Sequence, residues 1–245
     1  MNQLRKLADF RRILSRYHPS PQTAETLQNI NLALLVGPTS CGRNTIINHL
    51  VKNGHYHAIV SDTTRHPRTN NGILEQNGVE YWFRSEDDIL ADLKKGTFLE
   101  AAIIHQQQVS GISLRELQQA AQQGQIAINE IEPVGGDNIH NIKPNANFIF
   151  VLPPGFDEWM ARINLRGALP EDELRRRLHS AVHEITTGLE RDYYVFVVND
   201  TFSHAAERID NIVRFGKLPD ADYAATARQT AEQLVVDIKS HLGIS

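Results

Sequence analysis

The feature that most constrains this chain is a short apolar run that leads into a glycine-bearing loop and then into a helical pattern. The apolar run covers residues 32–36, the loop contains Gly37 and Gly42, and the apolar positions of the helix begin at Ile46. A loop in this context turns successive backbone N–H groups towards an anion, and the start of the helix adds its positive dipole end. The pattern predicts an α/β fold with a phosphate-binding loop at the end of a strand.

The loop departs from the usual phosphate-loop motif at two positions. The motif expects Lys and then Ser or Thr after the second glycine, and this chain has Arg43 and Asn44, followed by Thr45. Arg43 keeps the positive charge, but its guanidinium is planar and longer than an ammonium group. A plain turn between a strand and a helix therefore remains the alternative. The candidate loop residues are Gly37, Pro38, Thr39, Ser40, Cys41, Gly42, Arg43, Asn44 and Thr45.

Apolar runs and helical patterns continue to alternate after the loop, which is typical of a largely parallel sheet. The predicted strands are 32–36, 57–61, 126–131, 148–152 and 195–198. The predicted helices are 44–52, 114–123, 156–166, 172–189 and 202–214. Residues 62–112 fit this alternation less well, with strands at 81–83 and 98–104 around a helix at 86–95, and we interpret them as an inserted lobe.

The two ends of the chain are predicted to be helical additions to one core. Apolar residues share one face over the first twenty positions, which predicts an amphipathic helix, with a transit peptide as the alternative. Residues 18–29 contain two prolines and mostly polar side chains, so we expect a linker there. A last helix is predicted at 221–242, and its expected inner face comprises Ala225, Ala231, Leu234, Val235 and Ile238.

Composition excludes several classes of protein. A net charge of −4 gives no overall positive field for nucleic acid or an anionic membrane, and we expect neither as a partner. A single cysteine excludes an internal disulfide and a cysteine-rich zinc site, and it fits a reducing, cytoplasmic compartment. No apolar run approaches the roughly 18 residues of a membrane span. The histidines show no metal-ligand spacing, so no metal held by the protein alone is expected.

Several segments after the loop resemble the guanylate kinase family, in the family's order. Residues 61–68 (SDTTRHPR) resemble the SxTTRxPRxGE motif, 78–83 (GVEYWF) resemble GxxYxF, and 96–100 (GTFLE) resemble GxFLE. Residues 130–132 (EIE), 150–154 (FVLPP) and 197–200 (VVND) resemble the EID, FxLPP and VxND segments. The resemblance covers roughly 31–214. It implies a P-loop kinase fold with a GMP-binding lobe at 62–112 and a lid at 162–177, in a domain of residues 30–215 between the N-terminal part (1–29) and a C-terminal extension (216–245).

The resemblance implies phosphoryl transfer from ATP to GMP or dGMP, with Mg²⁺ bound together with ATP. It implies a donor site formed by the loop residues 37–45 and Asn199. It implies a GMP site formed by Ser61, Arg65, Arg68, Tyr81, Glu100 and Glu132. The expected catalytic residues are Arg43, Arg162, Arg166 and Arg177. For the lid arginines, surface ion pairing with Asp157, Glu158 or Glu173 is the alternative, and for Asn199 it is a turn at the strand end.

The chain also departs from the family pattern in the acceptor site. Ser110 and Ile112 stand where the family has a tyrosine and a hydroxyl residue, and Glu132 replaces an aspartate. Losing two acceptor contacts weakens acceptor binding by roughly one to two orders of magnitude. Two other hypotheses therefore stay open: a weak or inactive module that binds a nucleotide or a phosphorylated partner, and a kinase for another small phosphorylated acceptor such as a sugar phosphate. Cys41 is either an oxidation-sensitive thiol with a lowered pKa or a small filler.

Overall fold

Strands and helices alternate along most of the chain. A computed structural model describes residues 4–244 of the protein except 71, 105, 166 and 168. The helices are α1 (Leu7–Leu14), α2 (Pro21–Gln28), α3 (Arg43–Lys52), α4 (Glu86–Lys95), α5 (Leu114–Gln122), α6 (Pro133–Ile142), α7 (Phe156–Leu165), α8 (Glu171–Leu189), α9 (Phe202–Phe215) and α10 (Ala221–Leu242). The strands are β1 (Leu32–Val36), β2 (Tyr56–Ala58), β3 (Asp62–Thr63), β4 (Thr69–Asn70), β5 (Ile73–Leu74), β6 (Trp82–Phe83), β7 (Phe98–Ile104), β8 (Gln108–Ser113), β9 (Ile126–Glu130), β10 (Asn147–Leu152) and β11 (Val195–Val198).

The backbone divides into two compact units. The lobe unit comprises Met1–Asn31, His57–Ala127 and Asn138–Pro144. The main unit comprises Leu32–Tyr56, Ile128–Asp137 and Asn145–Ser245. The predicted inserted lobe, residues 62–112, falls wholly within the lobe unit.

The main sheet has the strand order β11-β10-β1-β9-β2. β1 pairs with β10 and β10 pairs with β11, both in parallel, with Leu34 opposite Phe148 and Phe150 opposite Phe196. Every residue of β1 is buried, as expected for a parallel strand that is covered on both faces. The α/β class and the parallel sheet predicted from the sequence are confirmed, although the strand predicted at 57–61 is shorter and ends at Ala58.

The carboxyl ends of the parallel strands define where a ligand site forms in such a sheet. In the main unit, β1 ends at Val36 before the glycine loop, β10 ends at Leu152, and β11 ends at Val198 before Asn199. The backbone N–H of Asn199 donates to the oxygen of Leu152 at 2.8 Å, which fixes the end of β11 against the end of β10. Loop and strand ends therefore meet at one edge of the sheet.

The lobe unit contains a second, four-stranded sheet of order β6-β3-β8-β7. β7 and β8 form an antiparallel pair, and β3 lies parallel to β6 and antiparallel to β8. The pairing of β7 with β8 shifts between Phe98 and Glu100: Phe98 faces Ser113 and Glu100 faces Ile112, so two steps on β7 match one on β8. This β-bulge lies directly before Glu100, and bulges commonly redirect a side chain.

The N-terminal helix is part of the lobe core. Phe10 of α1 is fully buried and packs with Ile89 and Leu93 of α4 and with Phe98 and Val109 of the sheet. Leu7, Ile13, Leu14 and Tyr17 pack against the same cluster. The amphipathic interpretation of the first twenty residues is confirmed.

The linker predicted at 18–29 is wrong, because α2 occupies most of it. Ser20 caps the helix by accepting a hydrogen bond from the backbone N–H of Thr23, and Pro21 takes the first helical position, where its missing N–H is not needed. Ser followed by Pro is a helix-start signal, and the prolines here open a helix rather than interrupt one.

The C-terminal helix α10 packs on α8, α7 and β11 of the main unit. Its buried residues are Ala227, Ala231, Leu234, Ile238 and Leu242. The predicted span 221–242 is confirmed, but its inner face is partly wrong: Ala225 is exposed and Val235 only half-buried, because the face runs through Ala227 and Leu242 instead.

A buried carboxylate braces the lobe sheet on β3. Asp62 is fully buried, and it accepts hydrogen bonds from Arg84 and from Arg115, each at 3.2 Å. A buried charge is tolerated only when it is paired and hydrogen-bonded. The two arginines therefore fix β3 next to Thr63, whose hydroxyl accepts from Ser110 at 2.9 Å.

Candidate active site

The loop after β1 has a backbone that requires glycine at its two ends. Gly37 has a φ of 143°, and a Cβ there would lie 2.2 Å from the oxygen of Val151. Gly42 has a φ of 103° and directly precedes the first residue of α3, and a Cβ there would lie 2.2 Å from Nδ2 of Asn199. Ser40 adopts a left-handed φ of 60°, which is a strained conformation of the kind found at functional sites. The loop is therefore a close-fitting backbone turn that leads into a helix N-terminus.

Asn199 connects the loop to the end of β11. Its side chain is only 4% exposed, and its Nδ2 donates to the backbone oxygen of Cys41 at 2.8 Å. Its backbone oxygen accepts from Arg162 at 3.0 Å. Among the described residues, neither the Oδ1 of Asn199 nor the hydroxyl of Ser40 finds a hydrogen-bond partner, although both atoms are buried. The hydroxyl of Ser40, in the loop, and the Oδ1 of Asn199, next to the loop, thus remain able to form a hydrogen bond with a ligand.

Trp159 holds the other side of the loop, and the sequence analysis missed it. Its ring is fully buried, and Nε1 donates to the backbone oxygen of Thr39 at 2.7 Å. Trp159 lies on α7, three residues before Arg162, so one helix supplies both a loop anchor and a lid arginine. Only the apolar periodicity of this segment was visible in the sequence, and it does not indicate which buried residue donates a hydrogen bond.

Arg43 is the first residue of α3, and its guanidinium contacts the end of β9. Its Nε lies 3.3 Å from Oε2 of Glu130, and Nη1 donates to the backbone oxygen of Ile131 at 3.4 Å. The side chain is largely buried, with 19% exposed. A guanidinium carries its donors on separate nitrogens, so one arginine side chain contacts both groups.

The carboxylate of Glu184, on α8, interacts electrostatically with Arg43. Burial, with a smaller contribution from Glu132, raises the pKa of Glu184 to about 7 against the opposing effects of the Ser180 hydroxyl and of Arg43. Ser180 donates to this carboxylate at 2.8 Å. Glu184 was not singled out from the sequence, because one glutamate on an amphipathic helix carries no local signal.

Cys41 behaves as a small filler. The thiol is buried, and burial raises its pKa to about 11, which outweighs the opposing effect of Arg43. Of the two interpretations given for Cys41, the small filler is therefore the one supported, because desolvation of the thiolate is the largest effect on its pKa.

The lid arginines pair with acids on their own helices. Arg162 contacts Glu158 at 3.2 Å in addition to Asn199, and Arg177 contacts Glu173 at 2.8 Å. The ion pairs that were the alternative interpretation are therefore present, and Arg162 also touches the loop's anchor residue. Arg166 lies outside the described residues.

In the lobe unit, Arg65 is held in one orientation by a partner that the sequence analysis missed. Both terminal nitrogens of Arg65 donate to the carboxylate of Glu75, at 2.5 and 2.9 Å. The guanidinium also stacks over the rings of Tyr81 and Phe83, at 4.6 and 5.3 Å from their centroids. Such bidentate and cation-π contacts fix the guanidinium plane before any ligand arrives.

The other predicted phosphate-binding residues lie on the same unit. Glu75 also accepts a hydrogen bond from the backbone N–H of Arg68 at 2.8 Å, so one carboxylate contacts both arginines. The side chain of Arg68 itself is exposed. Ser61 is half-buried, and its backbone oxygen accepts from the N–H of Trp82 at 2.9 Å. Arg65, Tyr81 and Glu75 therefore form one cluster, with Arg68 joined to it through the backbone.

Ser110 and Ile112 lie within the β8 strand and take part in its packing. The Ser110 hydroxyl donates to Thr63 at 2.9 Å and accepts from Gln108 at 3.3 Å. Ile112 is 1% exposed. Both departures from the family pattern are thus built into the sheet as structural residues.

Glu100 follows the β-bulge of β7, and burial raises the pKa of its carboxyl to about 7. A carboxylate in this state is ready to accept hydrogen bonds from paired donors only above that pH.

We expect binding of GMP, measured calorimetrically without ATP, to weaken about tenfold per pH unit below pH 7, because a protonated Glu100 no longer accepts from two N–H donors. The phosphate of GMP titrates in the same range, so the matched variant is Glu100→Gln, which retains the phosphate contribution alone. A wild-type pH profile with the same slope as that of Glu100→Gln would contradict this assignment.

Two further features bear on function. No helix among the described residues combines the length and apolarity needed to cross a membrane. The described side chains also contain no group of three or more His, Cys, Asp or Glu residues arranged to hold a metal ion.

Comparison with known proteins identifies the family of the chain. The family model "Guanylate kinase" matches residues 29–215. A guanylate kinase of Clostridioides difficile is 35% identical over 183 residues, 74% of this chain and 86% of the relative. A guanylate kinase of Hahella chejuensis is 32% identical over 188 residues, 76% of this chain and 87% of the relative.

A solved structure shows the same fold. The crystal structure of guanylate kinase from Anaplasma phagocytophilum aligns with a TM-score of 0.56 and 23% identity, covering 89% of this chain and 98% of the other. The family match spans the residues of the loop, of the predicted lobe and of the predicted lid. The chain belongs to the guanylate kinase family.

Proposed function

We propose that the guanylate kinase reaction, ATP and GMP to ADP and GDP, is carried out in this chain by the loop of the main unit and the arginine cluster of the lobe unit. The observation that carries the proposal is the fixed Arg65, which Glu75, Tyr81 and Phe83 hold in one orientation. A guanidinium that is oriented in advance binds a phosphate without further ordering, and Arg68, Ser61 and Tyr81 supply additional donors. Glu100 accepts from N1–H and N2–H₂ of guanine, an edge that adenine lacks.

The donor nucleotide binds at the loop. Backbone N–H groups of the loop face its phosphates, and Arg43 supplies the charge that the motif usually places on lysine. Asn199 accepts a hydrogen bond from the base. In the reaction, a phosphate oxygen of GMP attacks the γ-phosphorus, the bond from that phosphorus to the bridging oxygen breaks, and ADP leaves. Arg162, Arg166 and Arg177 stabilise the charge on the transferring group, so catalysis rests on positioning and charge.

Magnesium enters with ATP in this proposal. The amide oxygen of Asn44, at the second position of α3, is a hard oxygen ligand of the kind that Mg²⁺ takes. Glu132 is exposed and follows Ile131, whose backbone oxygen accepts from Arg43. Because the described residues alone form no metal cluster, the phosphates supply most of the ligands. When bound, the ion neutralises charge on the β- and γ-phosphates.

The test is release of ADP by the purified protein with ATP, Mg²⁺ and one of five acceptors: GMP, dGMP, AMP, UMP or a sugar phosphate. We expect turnover with GMP and dGMP only. Turnover with AMP would contradict the role of Glu100. Tight GMP binding without any turnover would favour the binding-module hypothesis, and turnover with a sugar phosphate instead would favour the other kinase.

Restoring lysine at the loop is expected to speed the reaction. Arg43→Lys should raise kcat/KM about tenfold, equivalent to about 1.4 kcal/mol, because a compact ammonium fits between phosphates and makes weaker contacts with Glu130 and Ile131. Arg43→Ala should lower it. Steady-state kinetics of both variants provide the measurement, and a folded lysine variant no faster than the parent would count against the assignment of Arg43.

A further inference from the structure

The family match begins at residue 29 and ends at residue 215. Each of the two segments outside it contains a tyrosine whose hydroxyl forms a hydrogen bond with the backbone of a strand. Tyr17 comes from the N-terminal segment and Tyr223 from α10. In both cases the strand is the outermost of its sheet, and a proposed substrate-binding residue follows within two positions.

Tyr17 contacts both backbone polar groups of Phe98. Its hydroxyl donates to the oxygen of Phe98 at 2.8 Å and accepts from the N–H of Phe98 at 2.9 Å. The half-buried tyrosine packs against the lobe core, and burial raises its pKa to about 12. Next to it, the N–H of Ser20 donates to the oxygen of Gly96 at 2.9 Å, so the N-terminal segment runs along the start of β7. Phe98 is also the residue at which the bulge before Glu100 begins.

Tyr223 makes the corresponding contact on β11. The N–H of Val198 donates to its hydroxyl at 3.0 Å, and the guanidinium of Arg208 lies 3.9 Å from its ring centroid. The next residue is Asn199, which holds the loop through Cys41 and accepts from Arg162 through its own backbone. The orientation of Asn199 therefore depends on a backbone that α10 clamps one residue earlier.

We infer that the two terminal extensions are positioning elements of the active site: Tyr17 fixes the bulge that aims Glu100 at the acceptor, and Tyr223 fixes the strand end that aims Asn199 at the donor. This inference rests on the proposed function for the assignment of Glu100 to GMP and of Asn199 to ATP. Each tyrosine acts through backbone hydrogen bonds and contacts no substrate.

The physical reason lies in how an outermost strand is held. Its outward N–H and C=O groups have no neighbouring strand, and a bulge interrupts the pairing on the other side as well. A hydroxyl that both donates and accepts can replace the missing partner at one residue, as Tyr17 does at Phe98. Without the tyrosine hydroxyl, the end of the strand samples more conformations. The side chain that follows, Glu100 or Asn199, is then oriented less precisely towards its substrate.

The two tyrosines allow a paired experiment on the full-length protein. Tyr17→Phe and Tyr223→Phe each remove one hydroxyl and retain the ring. We expect Tyr17→Phe to raise KM for GMP roughly three- to tenfold with KM for ATP unchanged, the range that follows from losing one or two hydrogen bonds. Tyr223→Phe should raise KM for ATP by a similar factor of roughly three to ten and leave KM for GMP unchanged.

The matched control is Tyr56→Phe, which removes a buried hydroxyl that donates to Asp210 at 2.8 Å, between β2 and α9. It should lower the melting temperature and change neither KM. Equal changes of both KM values in either test variant, or no change in either, would overturn the inference.

Failure of the proposed function gives a different result. Glu100→Gln and Asn199→Ala serve as reference variants, one for each substrate. If the parent has no GMP-dependent ADP release, or if these two variants leave their KM values unaltered, the site assignment itself is wrong, and the inference falls with it. If both reference variants act as assigned and the tyrosine variants do not, only the inference is overturned.

Discussion

Replacing Arg162 with alanine is expected to lower kcat roughly 100- to 1000-fold, the usual loss for one donor that stabilises charge in the transition state. Affinity for GMP should stay within about twofold, since this contact forms mainly when the phosphoryl group is in transit. KM for ATP should rise modestly, because Arg162 also contacts the backbone oxygen of Asn199. Steady-state kinetics and calorimetric titration with GMP together check the result.

Arg176→Ala is the matched control for this experiment. Arg176 lies on α8 within the predicted lid region, its side chain is 74% exposed, and it pairs with Glu173. The substitution removes the same charge, but Arg176 is not one of the arginines proposed to stabilise the transferring group. We therefore expect kcat to be retained. If Arg162→Ala were as active as Arg176→Ala, the arginine would serve only its ion pair with Glu158, and the module that binds without catalysis would be favoured.

The second large effect is expected at Glu100. Glu100→Gln should lower kcat/KM for GMP roughly 100- to 1000-fold, because the amide presents a donor to a guanine edge that itself donates, and both groups are then left unpaired. Ile112 is buried in the sheet where relatives have a hydroxyl, so base recognition depends on Glu100 more heavily here. ATP binding should change only a few-fold. Titrations with each nucleotide separately provide the measurement.

Glu25→Gln provides the control, since Glu25 is an exposed acid on α2 of the same unit. It should bind GMP as the parent does. Equal losses for ATP and GMP in Glu100→Gln would indicate unfolding, or that the carboxylate does not face the base, and a melting curve separates these two outcomes.

The fold was predictable where one local pattern decided the structure. The apolar run at β1 needs burial on both faces, and the glycines after it need a turn, so strand, loop and helix could be predicted together. β8 was missed because its sequence, QVSGIS, has low strand propensity and forms only by pairing with β7 and β3. α6 was missed because Gly135 and Gly136 lie inside it; a Cβ at Gly136 would lie 2.3 Å from the hydroxyl of Tyr194, so close packing requires the glycine.

The sequence was sufficient to propose which residues form the candidate site, but it did not indicate which side chains hold those residues in place. Arg65, Tyr81 and Glu100 could be proposed from the family motifs, whereas Glu75 was missed because its distance from Arg65 depends on the turn between β4 and β5. Trp159 contacts the loop and Glu184 interacts electrostatically with Arg43, both from helices more than a hundred residues away, and no spacing rule connects them to the loop. Contacts of this kind arise from tertiary packing and leave no periodic trace in the sequence.

The packing of α10 over β11 has a consequence for the behaviour of the protein at high concentration. β11 is VFVV, a short apolar sequence with high strand propensity at the end of the main sheet. Uncovered edges of this composition recruit strands from other molecules and seed aggregation. Tyr223 accepts from the N–H of Val198, and α10 packs against the same strand, so fewer backbone groups of β11 are open to a strand from another molecule. The C-terminal extension thus shortens the stretch of sheet edge at which such pairing can start.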